Sequence, residues 1–506
     1  MEKSNRKKAL PLMLQGTSSH VGKSVLTAAQ CRIFRDKGYK AAPFKAQNMA
    51  LNSFVTSEGH EIGRAQAFQA EAAGIRPTSD MNPVLLKPTG DSVSQVIVHG
   101  RVHSSMSAVE YHRFKKEAAG FVMESYERLS SLYDVIVIEG AGSPAEVNLR
   151  DGDIANMGVA GMTQSPVLLV GDIDRGGVFA SIVGTMELLA PWERELVKGF
   201  IINKFRGDIG LLAPGLDFLS GKTGRPVLGV VPYIDGSTLP DEDGVALQGV
   251  ARGADGGALR VAVVKLPRIS NFTDFDPLKL SPGFTLDFIE DAGGLAGADM
   301  VILPGTKNTL SDLLWLKERG FKEALAAFAS SGGMVAGICG GFQMMGRKVS
   351  DPDGVESNLR EVSGLGLLDA ETVLAGEKST FQVKADVRCF GKEVFGVEGY
   401  EIHMGRTTGP VTPLARITER NGRKADVADG ASESNIWGTY IHGIFDNDAF
   451  REALSGALRG AKGLVGPAPE QGQSFAGIRE DAIKRLASVV AGSLDMKAVL
   501  RIAGLG

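Results

Sequence analysis

Met334-Val335-Ala336-Gly337-Ile338-Cys339-Gly340-Gly341-Phe342-Gln343-Met344-Met345 is the stretch on which the fold turns. Its first five residues are apolar without interruption, as a strand buried on both faces of a sheet must be. The run ends on a cysteine set among glycines, and Phe342 to Met345 reads as the start of a helix. A strand that becomes a helix across so few residues has to turn sharply, and glycine tolerates the backbone angles and close approach of such a turn. This is the pattern of a nucleophile elbow with sulfur in place of the usual serine. The thiol would project from the end of the sheet, and amides at the helix start would face an oxyanion formed there. The same residues also fit a buried structural cysteine between loop glycines, so the remainder of the chain has to decide.

At 506 residues the natural division is into two domains. The apolar and charged fractions, 43% and 23%, are those of an ordinary globular protein. A net charge of -4, with Arg6-Lys7-Lys8 the one basic block that stands out, does not suggest nucleic acid as a partner. Cys31, Cys339 and Cys389 are too few and too scattered for a disulfide framework, and no Cys/His cluster has zinc spacing. The expected compartment is therefore reducing, and the expected location the cytoplasm. The basic N-terminus leads into a short apolar run that contains Pro11 and ends in a glycine loop, which reads as a first strand and not as a signal peptide. No stretch is long enough to span a membrane.

That first strand, Ala9 to Leu14, is followed by Gly16-Thr17-Ser18-Ser19-His20-Val21-Gly22-Lys23-Ser24 and by a helix predicted to run to Lys37, with Gly38 as its stop. Strand, glycine loop, Gly-Lys-Ser and helix form the context of a P-loop. Backbone N–H groups from Gly16, Thr17 and Gly22 would wrap phosphates, Lys23 would reach the terminal ones, and Ser24 would hold Mg²⁺. The loop carries one more residue between its glycines than the usual signature.

Strands and helices then alternate. Tyr39 to Lys45 and Gln95 to His99 are predicted strands, and Glu58 to Ala73 and Ser105 to Leu132 predicted helices. The expected class is α/β, with doubly wound, mostly parallel sheets, on which ligands sit at the carboxyl ends of the strands. That rule selects polar residues. Val135 to Ile138 ends in Glu139, a carboxylate placed to join Ser24 on the metal. Pro166 to Val170 ends in Gly171-Asp172-Ile173-Asp174-Arg175, where Asp172, Asp174 and Arg175 could orient an anionic substrate or a metal. Phe200 to Ile202 ends in Asn203, whose amide could pair with a purine edge. Lys45 to Ser53 is rich in amides, and Gln47 and Asn48 are candidate substrate contacts.

Asp235 to Ala258 is rich in Gly and Asp and lacks periodicity, so the domain boundary is expected there. The resulting division is 1–240, 259–450 and a helical tail, 451–506. In the second part, Asp299 to Leu303 is a strand ending in Pro304-Gly305-Thr306, so Gly305 could share an oxyanion hole with Gly340. His442, at the end of another short strand, is the expected base for Cys339. His403 competes for that role and is otherwise expected to line the site or brace the sheet.

Gly337 to Gly341 with Tyr440-Ile441-His442-Gly443 resembles the class I, or triad, glutamine amidotransferases. Gly16 to Ser24 with Glu139-Gly140-Ala141-Gly142 resembles the dethiobiotin synthetase branch of P-loop proteins, which shares the longer loop. The order of the halves resembles the corrinoid amidases. Within them Lys45 to Met49, Glu61 to Gln66, Met81 to Pro88 and Asp172 to Gly177 are similar to the branch that amidates the b, d, e and g carboxylates of adenosylcobyrinic acid a,c-diamide. The resemblance implies a P-loop synthetase-like domain followed by an amidotransferase domain. It implies ATP as co-substrate with Mg²⁺, and glutamine and a corrinoid as small-molecule substrates. The corrinoid would be substrate only, since no Asp-x-His-x-x-Gly signature of a bound corrinoid cofactor is present. It also implies Cys339 and His442 as the catalytic pair, with Gly305, Gly340 and Gln343 on the oxyanion and the glutamine. The usual triad glutamate two residues after the histidine is replaced by Ile444, so a dyad is expected and the group orienting His442 is left open.

Two rivals remain at this level. One is the sibling that amidates the a and c carboxylates, against which the Gln47-Asn48 loop argues. The other is a P-loop partitioning or switch ATPase with an inactive amidotransferase appendage, against which an intact Cys339 and His442 argue.

Overall fold

The computed structural model describes residues 8–89, 93–234, 258–464 and 472–505. The boundary expected at Asp235 to Ala258 lies, except for its last residue, outside them. The chain forms two compact units, one of Met1–Ala50, Ile62–Leu239 and Arg479–Gly506, the other of Leu51–Glu61 and Pro240–Ile478. The two halves foreseen from the sequence therefore exchange pieces. Leu51–Glu61 is counted with the second unit, and of the range 451–506 the part from Arg479 is counted with the first; the described residues there include the helices Asp448–Ala461, Phe475–Ser493 and Met496–Ile502.

The first unit is built on six parallel strands in the order Val227–Pro232, Val197–Phe205, Val167–Asp172, Leu10–Gly16, Val135–Glu139 and Ala41–Phe44. Alternate residues feed opposite cores. Met13, Ile136 and Ile138 pack on one side with Phe114, Val122 and Ile182. Leu12, Leu14, Val135 and Val137 pack on the other with Leu26, Phe34, Leu486 and Val490. Burial of both faces accounts for strands that are apolar throughout. Leu486 and Val490 belong to the helix Phe475–Ser493, which explains why the end of the chain returns to this unit.

A second sheet in this unit orders Gln47–Met49, Val84–Pro88, Val93–Val98 and Arg101–Ser107. The strand expected at Gln95 to His99 falls here, not in the parallel sheet. The helix expected from Ser105 begins at Ala108, where Ser107 and Glu110 form a capping box. The helix expected over Glu58 to Ala73 is only Arg64–Ala73, preceded by the short strand Glu61–Gly63. Gly59 has φ +80°, outside the right-handed helical region, so the pattern of Ile62, Ala65 and Phe68 could not extend back through it.

The second unit has a parallel sheet ordered Phe284–Ile289, Leu259–Val264, Met300–Leu303, Met334–Ile338, Ile436–Thr439, closed by the antiparallel Ala431–Glu433. Beside it lies a mostly antiparallel sheet dominated by the hairpin Glu371–Cys389 and Lys392–Thr408. The chain steps from the first sheet to the second between Thr439 and the two-residue strand Ile441–His442, which pairs with Tyr400 and Glu401.

Candidate active sites

In the second unit, Ile338 pairs with Thr439 across neighbouring parallel strands, so the chain just beyond each lies on one rim. Cys339 follows Ile338 directly and His442 follows Thr439 by three residues. Cys339 has φ +52° and ψ -110°, a strained conformation for a non-glycine residue and the mark of an elbow. The glycines beside it are required by space. A Cβ on Gly337 would lie 2.3 Å from Met345 Sδ, and one on Gly341 would lie 1.9 Å from the Leu303 carbonyl. The helix Gly340–Met345 is thereby drawn tight against the strand end.

The thiol of Cys339 is buried and donates to the Ile402 carbonyl at 3.7 Å, and it stands near enough to the His442 imidazole to help raise its pKa. On the other side of the ring, Nδ1 lies 2.6 Å from Asp274 Oδ2. A carboxylate only accepts, so Nδ1 carries the proton and Nε2 is left for the thiol. The dyad expected from the sequence is thus completed by an acid, Asp274, from the single turn Phe272–Phe275 beyond the strand Leu259–Val264. Burial would lower the imidazole pKa, but the facing Asp274 carboxylate and the Cys339 contact outweigh it and push the value up, to about 10. Tyr400 stacks on the ring with centroids 5.2 Å apart.

Gly305 borders the same ring, since a Cβ there would meet His442 Cε1 at 3.3 Å. Gly340 approaches the next residue along, its would-be Cβ lying 3.1 Å from the Thr306 amide nitrogen. Gln343 is buried with its side chain fully engaged, accepting from Thr309 Oγ1 at 3.1 Å and donating to the Met404 carbonyl at 2.8 Å and to Tyr440 Oη at 3.2 Å. His403 stacks on Tyr440 with centroids 3.8 Å apart and faces the Gly405 carbonyl, so it braces the sheet.

In the first unit, Leu14 pairs with Glu139 and Gly16 with Val170, which brings the loop after Gly16 to the ends of both neighbouring strands. The Thr17 amide donates to the Val170 carbonyl at 2.9 Å. Gly22 has φ +96°, and a Cβ there would stand 2.3 Å from Asn203 Nδ2. Asn203 donates from that nitrogen to the Val21 carbonyl at 2.7 Å, so here its amide braces the loop. Lys23 Nζ lies 3.0 Å from both the Ser18 and Gly142 carbonyls, curled over the loop.

Glu139 is buried at the centre of the site. Its carboxylate accepts from Ser24 Oγ at 2.7 Å, Lys45 Nζ at 2.8 Å and Gln69 Nε2 at 2.6 Å. Asn156 supports the adjoining Gly140-Ala141 turn, accepting from the Ala141 amide at 3.1 Å. Asp172 accepts from Lys204 Nζ at 2.8 Å and from the Asp174 amide at 2.9 Å. Asp174 pairs with Arg206 at 3.1 Å, and Arg175 is exposed at the same rim. Gln47 accepts from Tyr111 Oη at 2.7 Å, and Asn48, buried, donates to Gln66 at 3.0 Å. Gln47 and Asn48 lie on the second sheet of this unit, whereas Asn52 and Ser53, from the same amide-rich stretch, belong to the other unit.

Residues that pattern reading passed over are Asp274, Lys45, Gln69 and Asn156. The carboxyl-end rule could have found Asp274, since Ser270 to Asp276 is a polar turn soon after a strand. Gln69 and Asn156 reach their partners from helix positions or helix caps, which carry no such signal.

Two family models match the chain, the CobQ/CobB/MinD/ParA nucleotide binding domain over residues 12–244 and the CobB/CobQ-like glutamine amidotransferase domain over residues 260–450. Relatives named cobyric acid synthase align along nearly its whole length. That of Syntrophobacter fumaroxidans is 51% identical over 510 residues, 98% of this chain and 99% of the relative. That of Thermoanaerobacter sp. is 49% identical over 505 residues, again 98% and 99%. That of Photorhabdus laumondii subsp. laumondii is 53% identical over 470 residues, 90% and 91%.

Proposed function

The chain belongs to the cobyric acid synthase family, and from that premise we propose that its two units divide one amidation, the first activating a carboxylate with ATP and the second releasing ammonia from glutamine. The reaction is the ATP- and glutamine-dependent amidation of the b, d, e and g carboxylates of adenosylcobyrinic acid a,c-diamide, a carbon–nitrogen ligation of cobalamin biosynthesis. Three cysteines without disulfides accord with the cytoplasm as its setting.

A carboxylate is a poor electrophile, so a phosphoryl group is first transferred to it and an acyl phosphate forms. The Thr17 amide, expected among the phosphate donors, is taken by the Val170 carbonyl; the other loop amides up to Gly22 bind the phosphates, and Lys23 offsets charge on the oxygens of the transferred group. Mg²⁺ suits this site. Ser24 and Glu139 meet there as oxygen donors, and Gln69, which donates to Glu139, has a buried side-chain oxygen with no hydrogen-bond partner among the described residues. When bound, the ion would offset phosphate charge and template the transfer. Lys45 donates to Glu139 Oε1, the oxygen that also accepts from Ser24. Gln47, Asn48, Asp172, Asp174 and Arg175 are assigned to the substrate rim, where Arg175 can pair with a corrinoid carboxylate.

In the glutaminase site the Cys339 thiolate attacks the glutamine side-chain carbonyl, and the carbonyl oxygen becomes an oxyanion facing amides near Gly305 and Gly340. The imidazolium of His442 passes its Nε2 proton to the departing nitrogen, and ammonia leaves as a glutamyl thioester forms. His442 then takes a proton from water, which hydrolyses the thioester to glutamate and restores the thiol. Asp274 keeps Nδ1 protonated and the ring aimed throughout. Gln343 is fixed between Thr309, Met404 and Tyr440, one helical turn from the nucleophile.

The observation that carries this reading is the buried alignment of Cys339, His442 and Asp274. The test is amidation of the a,c-diamide with ATP and Mg²⁺, read by mass increments, with glutamine or ammonium as nitrogen source. Cys339→Ser should lose glutamine-dependent product and keep ammonium-dependent product. Loss of both, or of neither, would count against the division of labour.

A further inference from the structure

Residues Leu51–Glu61 follow the proposed substrate residues Gln47 and Asn48 in the chain, yet they fold into the amidotransferase unit. They are held there by reciprocal asparagine contacts. Asn52 Oδ1 accepts from the Phe272 amide at 3.2 Å, and Asn271 Oδ1 accepts from the Ser53 amide at 2.8 Å. Each asparagine oxygen thus takes the backbone N–H of the residue after the other asparagine. Asn52, Ser53 and Asn271 are all nearly inaccessible to solvent, where a lost acceptor would strand a buried N–H group.

The turn gripped in this way is the one that carries Asp274, whose own amide donates to the Asn271 carbonyl at 2.9 Å. Asn271 has φ +53°, a left-handed conformation that asparagine tolerates better than most side chains. Its amide orientation is set from outside, because the Ser53 N–H can only donate and therefore faces oxygen. Asn271 Nδ2 is left beside His442 Nδ1 at 3.4 Å, a packing contact in the tautomer that Asp274 imposes. The other side of Ser53 is held as well. Its carbonyl accepts from Tyr400 Oη at 3.1 Å, and the Tyr400 ring stacks on His442. Further along, Phe54 packs on Tyr400, Val55 joins Tyr400 and Ile402 in a small apolar cluster, and Glu61 pairs with Lys378. The two neighbours that position the imidazole, Asp274 and Tyr400, are thus both fastened to Asn52-Ser53.

We propose that Leu51–Glu61 is a positioning strap for the His442–Asp274 pair, so that glutamine hydrolysis depends on a segment continuous with the substrate residues of the synthetase unit. This rests on the assignment of Gln47 and Asn48 given above. Asn52, Asn271 and Tyr400 act through His442 and are positioning residues, since none is placed on the reacting atoms.

The experiment uses the full chain and two assays, glutamate release from glutamine and ammonium-driven amidation of the a,c-diamide. Asn52→Ala should lower kcat for glutamate release about tenfold or more, leave KM for glutamine within about threefold, and leave ammonium-driven amidation within about twofold. Asn52→Asp keeps the oxygen that accepts from Phe272 and should restore kcat to within about threefold of the wild type. Tyr400→Phe removes one hydroxyl, keeps the stacked ring, and should lower kcat about threefold, which covers the case of an Asn52→Ala chain that does not fold. The strap is overturned if Asn52→Ala and Tyr400→Phe both release glutamate at the wild-type rate. It is also overturned if Asn52→Asp falls as far as Asn52→Ala, or if both activities fall together. A wild-type chain that amidates nothing from ammonium would instead overturn the reading of the synthetase unit, and the glutamate-release comparison would still decide the strap.

Discussion

Asp274 Oδ2 and His442 Nδ1 lie 2.6 Å apart with both side chains buried, although 168 residues separate them in the chain. The acid stands where the imidazole needs one, after a different strand from the one that carries the position read as Ile444.

Asp274→Asn should reduce glutamine hydrolysis about 10³-fold, because an amide can offer Nδ1 a donor and thereby turn the ring to the wrong tautomer. Ammonium-dependent amidation should persist, since the proposed mechanism uses the acid in ammonia release alone. Glutamate release and product mass, measured on the same preparation, separate the two.

The same pair makes stability depend on pH. The folded imidazole titrates above its ordinary 6.5, near 10, so folding binds an additional proton between those values. The stabilisation is present in full below about pH 6.5 and is lost as pH rises through about 10. Urea unfolding of the wild type and of Asp274→Asn at pH 6, 8 and 10 should show a gap that is widest at pH 6 and narrowest at pH 10. A gap that widened with pH would contradict the assignment.

Lys45 and Glu139 form an ion pair with side chains 5% and 0% exposed. Removing one partner from a buried pair leaves the other charge uncompensated, so Lys45→Met should cost about 3 kcal/mol. The urea midpoint should fall at unchanged slope, and glutamate release at low urea should survive.

Two glycines offer a contrast. Gly341→Ala would force a Cβ to within 1.9 Å of the Leu303 carbonyl, a backbone atom that cannot move aside, and should cost about 3 kcal/mol or more while disturbing the elbow. Gly120, exposed within the helix Ala108–Ser130, has nothing within 4 Å of the same position, and Gly120→Ala should stabilise by about 0.5–1 kcal/mol. Thermal or urea unfolding of both variants tests the geometry directly.

Some of this was written locally. Met334 to Ile338 is apolar because both of its faces are covered, and Gly337, Gly340 and Gly341 are glycines because the helix lies against the strand end, so periodicity and turn chemistry disclosed the elbow. The P-loop was legible for the same reason, since its glycines and Lys23 answer to backbone geometry within nine residues. The rule that strand ends carry chemistry then reached Glu139, Gly305 and His442 without any knowledge of how the strands are ordered.

What stayed hidden depended on pairings between distant stretches. Which acid meets His442 was settled by the strand order that sets Leu259–Val264 one strand from Met300–Leu303 and two from Met334–Ile338, and no local pattern encodes that order. Gln69 reaches Glu139 from a helix, and Leu51–Glu61 leaves its sequence neighbours because its asparagine, serine and apolar side chains find their partners in the other unit. Short-range sterics and burial made the sequence sufficient for most of the elements and for singling out Cys339, His442 and Lys23 as candidates. Long-range satisfaction of buried hydrogen bonds, visible only once the chain has folded, decided Asp274, the grip on Glu139 and the course of residues 51–61.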